Sequence, residues 1–130
     1  MNVRILLVDD NLTFANSVRN SLGFVAGAKV LGHAANGAQA LAMTTELQPD
    51  LMLLDIAMPD MTGLEVAQTL QTWAHAPAII FLTTHDGAAY REAARKAGAM
   101  AFITKDQMVA ELLPLIENWN SRVTQTETVQ

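Results

Sequence analysis

The sequence predicts an α/β fold: a doubly wound sheet of parallel strands with helices on both faces. Two observations predict it. Short apolar runs, such as Ile5-Leu6-Leu7-Val8 and Leu51-Met52-Leu53-Leu54, are continuous rather than alternating, as in strands covered on both sides. Stretches with helical spacing separate these runs, giving five β-α units in succession, and such alternation implies right-handed crossovers in one sheet. The chain of 130 residues, 51% of them hydrophobic, supplies a core for one domain of ordinary size.

The first strand is predicted over residues 3–8 and stops at Asp9 and Asp10. Phe14, Val18 and Leu22 then recur every four residues behind Asn11, a helix-capping residue type. The second strand is predicted over 29–34. Asn36-Gly37 opens a helix whose apolar positions are Ala38, Leu41, Ala42 and Leu47. Residues 51–54 form the third strand and lead into Asp55. Thr62-Gly63 opens a helix carrying Leu64, Ala67, Leu70 and Ala74. Residues 78–82 form the fourth strand, followed by Thr83. An alanine-rich helix over 88–97 stops at Gly98. The fifth strand covers 100–103 and leads through Thr104 to Lys105.

Leu112, Leu113, Leu115, Ile116 and Trp119 mark the last helix, which contains Pro114. Proline in a helix interior costs about 3 kcal/mol. The expectation is therefore a helix starting near 109–111, with Pro114 in its first turn, or a distortion at that point. Trp73 and Trp119 read as packing anchors and the seven methionines as core filler. Residues 121–130 are polar and read as a tail or the start of a linker.

Composition excludes several classes of function. A net charge of −5 argues against direct nucleic-acid binding. The basic group Arg91, Arg95 and Lys96 reads as a solvated helix face. No apolar run approaches the roughly 20 residues that span a bilayer, so no membrane association is expected. The N-terminus lacks a signal-peptide pattern. The absence of cysteine removes disulfides and thiolate metal sites and is compatible with the expected cytoplasmic location.

Ligands of doubly wound sheets bind beyond the carboxyl ends of the strands. Asp9, Asp10, Asp55, Thr83 and Lys105 all fall at that edge. Adjacent aspartates are common in turns, but three carboxylates in one cleft repel unless a cation or proton intervenes. Hard oxygen ligands suit Mg²⁺, which often binds together with phosphate. Asp55 can then act as a nucleophile toward phosphorus. Thr83 offers a hydroxyl to phosphoryl oxygens, with Thr84 as a competitor for that role. Lys105 is the one cation expected at the acidic edge, attracted there by several kcal/mol gross at an effective dielectric of about 20. His33, His75 and His85 lack metal-ligand spacing and read as exposed loop histidines.

These residues lie in four stretches: Ile5-Leu6-Leu7-Val8-Asp9-Asp10-Asn11; the run from Leu53 to Glu65 containing Asp55-Ile56-Ala57-Met58-Pro59; Ile79-Ile80-Phe81-Leu82-Thr83-Thr84; and Gly98 to Lys105. In that combination the chain resembles the receiver domain of bacterial two-component response regulators over residues 3 to about 119. The resemblance implies a CheY-like, flavodoxin-like (βα)5 fold with strand order 2-1-3-4-5. It implies that Asp55 is the phosphoacceptor, that Asp9, Asp10, Asp55 and the Ala57 carbonyl hold Mg²⁺, that Lys105 binds phosphate, and that Thr83 and Phe102 are the switch pair.

By the same resemblance, residues 1–120 are the receiver domain, and the phosphoryl donor is a sensor histidine kinase or a phosphotransfer protein. The domain is a signalling phosphoacceptor rather than an enzyme with an external substrate. Asp106, where many receivers have proline, resembles the LuxR/NarL-type subfamily, whose output is transcription through a C-terminal DNA-binding domain. A stand-alone receiver or phosphorelay intermediate is the alternative, and a homodimer is possible with either. Thr84 replaces the usual small residue beside the switch threonine. Asp60 and Thr62 vary the loop without touching the chemistry. Two rivals fit less well. A flavodoxin-type module would meet phosphate repulsion from Asp9 and Asp10, and a haloacid-dehalogenase-like phosphatase needs an acid where Asn11 stands.

Overall fold

A computed structural model describes residues 2–119; the expected polar tail, 121–130, lies outside them. The element order is β1 (Val3–Val8), α1 (Leu12–Leu22), β2 (Ala28–Ala34), α2 (Gly37–Leu47), β3 (Leu51–Leu54), α3 (Gly63–Leu70), β4 (Ala78–Thr83), α4 (Ala88–Lys96) and β5 (Ala101–Thr104). A final helical segment runs to residue 119. The five strands pair in parallel in the order β2-β1-β3-β4-β5.

The continuous apolar runs exist because the sheet is covered twice. Ile5, Leu7, Leu51, Leu53, Ile80, Leu82 and Ile103 point to one face, where they meet Val18 and Leu22 of α1 together with Met108, Leu112 and Ile116. The alternate residues, Leu6, Val8, Met52, Leu54, Ile79 and Phe81, meet Val66, Ala67 and Leu70 of α3, Ala40 of α2 and Ala94 of α4. Arg4 is the polar exception within β1. Its guanidinium donates to the Leu47 and Gln48 carbonyls at 2.7 and 2.6 Å, closing the C-terminus of α2.

Caps set the helix starts. Asn11, Asn36 and Thr62 each accept a backbone N–H of the first turn through the side chain, and Thr62 forms a reciprocal capping box with Glu65. Gly98 has φ +86°, as a helix stop requires.

Three expectations need correction. The buried face of α2 consists of Gly37, Ala40 and Thr44, whereas Ala38 and Ala42 are exposed; a helix rich in alanine carries too little contrast to fix its rotation. Helix α3 ends at Leu70, so Ala74 lies in an exposed turn. Among the methionines, Met100 is exposed rather than core. Trp73 and Trp119 do pack against the two cores.

At Pro114 the structure combines both expectations. Lys105–Gln107 is a 3-10 turn, Met108–Leu112 a π turn, and residues 113–119 are α-helical. Pro114 thus falls in the first α turn. Having no N–H and a ring that crowds the preceding turn, it is accommodated by the widened π turn ahead of it.

Candidate functional site

The strand register builds the site. Val8 is level with Leu54, Leu54 with Phe81, and Thr83 with Thr104. Asp9 N–H donates to the Ala34 carbonyl and Asp55 N–H to the Val8 carbonyl, both at 3.0 Å. Asp9 and Asp55 therefore extend the pairing of β1 with β2 and β3 by one bond each and carry their carboxylates at the sheet edge. One oxygen each from Asp9, Asp10 and Asp55 lies within 4.8 Å of the others.

The three carboxylates are not equivalent. Asp9 is buried; its Oδ1 accepts the Asn11 N–H at 2.8 Å and its Oδ2 pairs with Lys105 Nζ at 2.8 Å. Asp10 is exposed. Asp55 is buried, with Oδ2 at a looser 3.4 Å from Lys105 Nζ, and its buried Oδ1 has no hydrogen-bond partner. Burial, and then the Asp9 charge, push the Asp55 carboxyl above the ordinary carboxylate range, opposed by Lys105 and the Thr83 hydroxyl. An orphaned carboxylate oxygen among three acids fits a hard divalent cation.

Thr83 is fully buried and Thr84 exposed. The Thr83 hydroxyl accepts the His85 N–H at 3.2 Å. Ala57 is exposed in the loop after Asp55. Phe102 lies in β5, level with Phe81 of β4. It is half-buried, with its centroid 6.5 Å from that of Phe81 and the Arg91 guanidinium 4.8 Å over its ring. Arg91, expected on a purely solvated face, is also paired with Asp86 at 2.8 Å.

Sequence reasoning missed several contacts. His33 is not in an exposed loop: it lies in β2, and its Nε2 donates to the Asp9 carbonyl at 2.7 Å. Its place inside a strand already expected over 29–34 was the signal available. His85 stacks on Tyr90 at 5.2 Å, whereas His75 is exposed in a loop as expected. Asp60 is more than a loop variation: its carboxylate accepts the Gly37 and Ala38 N–H groups at 2.8 and 2.9 Å, tying the loop after Asp55 to the start of α2. Gly63 packs so closely that a Cβ there would collide with the Asp55 carbonyl oxygen. The Phe14 ring lies 4.5 Å from Lys105 Nζ.

The chain has relatives among response regulators. The chain is 38% identical over 113 residues to response regulator MprA of Mycobacterium bovis, covering 87% of this chain and 48% of that protein. It is 38% identical over 106 residues to a protein-glutamate methylesterase/protein-glutamine glutaminase of Alkalilimnicola ehrlichii, covering 81% of this chain and 27% of that one. The chain thus spans about half or less of the length of these relatives. The signal receiver domain of the response regulator NarL from Mycobacterium tuberculosis superposes with a TM-score of 0.84 at 30% identity, covering 90% of this chain and 94% of that one. Residues 5–117 match the response regulator receiver domain family, and the chain belongs to it.

Proposed function

We propose that Asp55 accepts a phosphoryl group from a sensor histidine kinase, or a phosphotransfer protein, in a Mg²⁺-dependent reaction, and that the resulting acyl phosphate switches the domain. The observation that carries this reading is the buried, partnerless Asp55 Oδ1 beside Asp9, Asp10 and Lys105. Asp9, Asp10, Asp55 and the Ala57 carbonyl would hold the metal, which when bound supplies charge neutralisation between carboxylates and phosphoryl oxygens.

The remaining chemistry belongs to the chain. The ionised Asp55 carboxylate attacks phosphorus, forming a P–O bond as the P–N bond to the donor imidazole breaks, and the imidazole leaves with the electron pair. Lys105 is held more tightly by Asp9 than by Asp55, so its ammonium can turn toward the transferred oxygens without leaving the pocket. The Thr83 hydroxyl accepts from His85 N–H and favours the ionised Asp55 carboxylate, so its proton would turn from that carboxylate to a phosphoryl oxygen. Phosphorylation adds about two negative charges at pH 7. Movement of Thr83 toward them frees space for Phe102, altering the surface of α4 and β5. Output then runs through a changed contact with another domain or protein, with LuxR/NarL-like output a C-terminal DNA-binding domain.

The test is intact-mass analysis after incubation with acetyl phosphate and Mg²⁺. The wild type gains one phosphoryl group, and Asp55→Asn gains none. Equal incorporation in both proteins would move the acceptor elsewhere.

A further inference from the structure

We propose that Phe14 is a positioning residue for Lys105, its ring face closing the side of the ammonium that the carboxylates leave open. This rests on the role of Lys105 toward the phosphoryl group proposed above. The Lys105 side chain is only 13% exposed, so water contributes little to holding its charge. Asp9 Oδ2 at 2.8 Å and Asp55 Oδ2 at 3.4 Å bind the ammonium, and the Phe14 centroid lies 4.5 Å away. An aromatic face is the negative end of the ring quadrupole and attracts a cation at this distance. Lysine, a point charge on a flexible stem, otherwise has several rotamers available.

Connectivity separates this role from simple core filling. Asp9 Oδ1 accepts the Asn11 N–H at 2.8 Å, and Asn11 Oδ1 accepts the Phe14 N–H at 3.0 Å. The Phe14 ring faces Lys105, and Lys105 returns to Asp9 through Oδ2. The cap of α1, the aromatic ring, the ammonium and the acid thus form one closed circuit. Phe14 also packs against the core beneath α1, which leucine, methionine or tyrosine can fill in its place.

The experiment is a double-mutant cycle on the full chain, titrating beryllofluoride, a phosphoryl mimic, in saturating Mg²⁺. Phe14→Leu weakens binding about fivefold, the size of a partly desolvated cation–π contact. Phe14→Tyr, which keeps the ring, binds as wild type does. In a Lys105→Met background the Phe14→Leu effect disappears. A loss of the same size in both backgrounds, or no loss in either, overturns the proposal. A second readout needs no phosphoryl mimic: the Lys105 ε-methylene protons, shifted upfield by the ring current, return to ordinary values in Phe14→Leu and stay shifted in Phe14→Tyr. Unmoved protons in a protein whose wild type binds beryllofluoride overturn the Phe14 role alone. A wild type that ignores beryllofluoride overturns the phosphoacceptor reading itself. Should Phe14→Leu fail to fold, Phe14→Met carries the same cycle.

Discussion

Asp55 titrates above the ordinary carboxylate value near 3.8 because burial, then the Asp9 charge, disfavour its ionised form more than Lys105 and Thr83 favour it. The native state therefore holds this proton more tightly than the unfolded chain does. Stability contributed by this group is greatest at low pH and declines as pH rises from about 3.8 through the raised native value. In metal-free buffer at pH 7, Asp55→Asn raises Tm by a few degrees and removes that part of the pH dependence. Melts from pH 4 to 8 check this, and a variant melting below wild type would contradict it. Asp60 has the opposite sign. Backbone N–H groups of Gly37 and Ala38 lower its carboxyl, so its stabilisation is present above the ordinary value and is lost as pH falls through the depressed one. Asp60→Ala lowers the urea midpoint at pH 7 and flattens the acid limb; an unchanged midpoint would remove its capping role.

Among the elements, the junction of β3 and α3 leaves no room for a side chain at Gly63. Gly63 N–H donates to the Ile56 carbonyl at 2.7 Å, and a Cβ at Gly63 would press on the Asp55 carbonyl, a backbone group with no soft end to yield. Gly63→Ala lowers stability by about 1–3 kcal/mol in urea unfolding and weakens Mg²⁺ binding, because the displaced atoms belong to the residue that carries the acid. Element positions were legible because β1, β3 and β4 are buried apolar runs and each of the first three helices opens on a side-chain cap. Rotation was not legible for α2, where alanine stands on both the exposed side, at 38 and 42, and the buried side, at 40. The contacts of His33, Phe14 and Asp60 were hidden for another reason. Each joins residues at least 22 positions apart, and no local pattern reports such pairs.

For the whole molecule, the sheet edge gathers acids from the ends of β1 and β3 and a base from the end of β5, so the site is a property of strand order. Its like charges make metal and stability interdependent. Mg²⁺ at 100 times its Kd raises unfolding free energy by about 2.7 kcal/mol if it binds only the native state. Asp10 is exposed and makes no hydrogen bond or ion pair among the described residues. Asp10→Ala consequently leaves the metal-free Tm at or above wild type, because it removes repulsion and no contact, and abolishes the Mg²⁺ increment. Paired melts in EDTA and in Mg²⁺ measure this, and a full increment in the variant would place the ion elsewhere.

The loop that follows Asp55 is pinned at two points, by Asp60 on the start of α2 and by Gly63 against the Asp55 backbone. Across the pocket, Phe102 is held by a ring contact and by a guanidinium whose ion pair is half in solvent, and such exposed pairs are weak. The cleft has one stiff bank and one compliant bank. Under the proposed phosphorylation, added charge at its centre would displace the compliant bank first, sending the mechanical response toward α4 and β5 rather than toward α2.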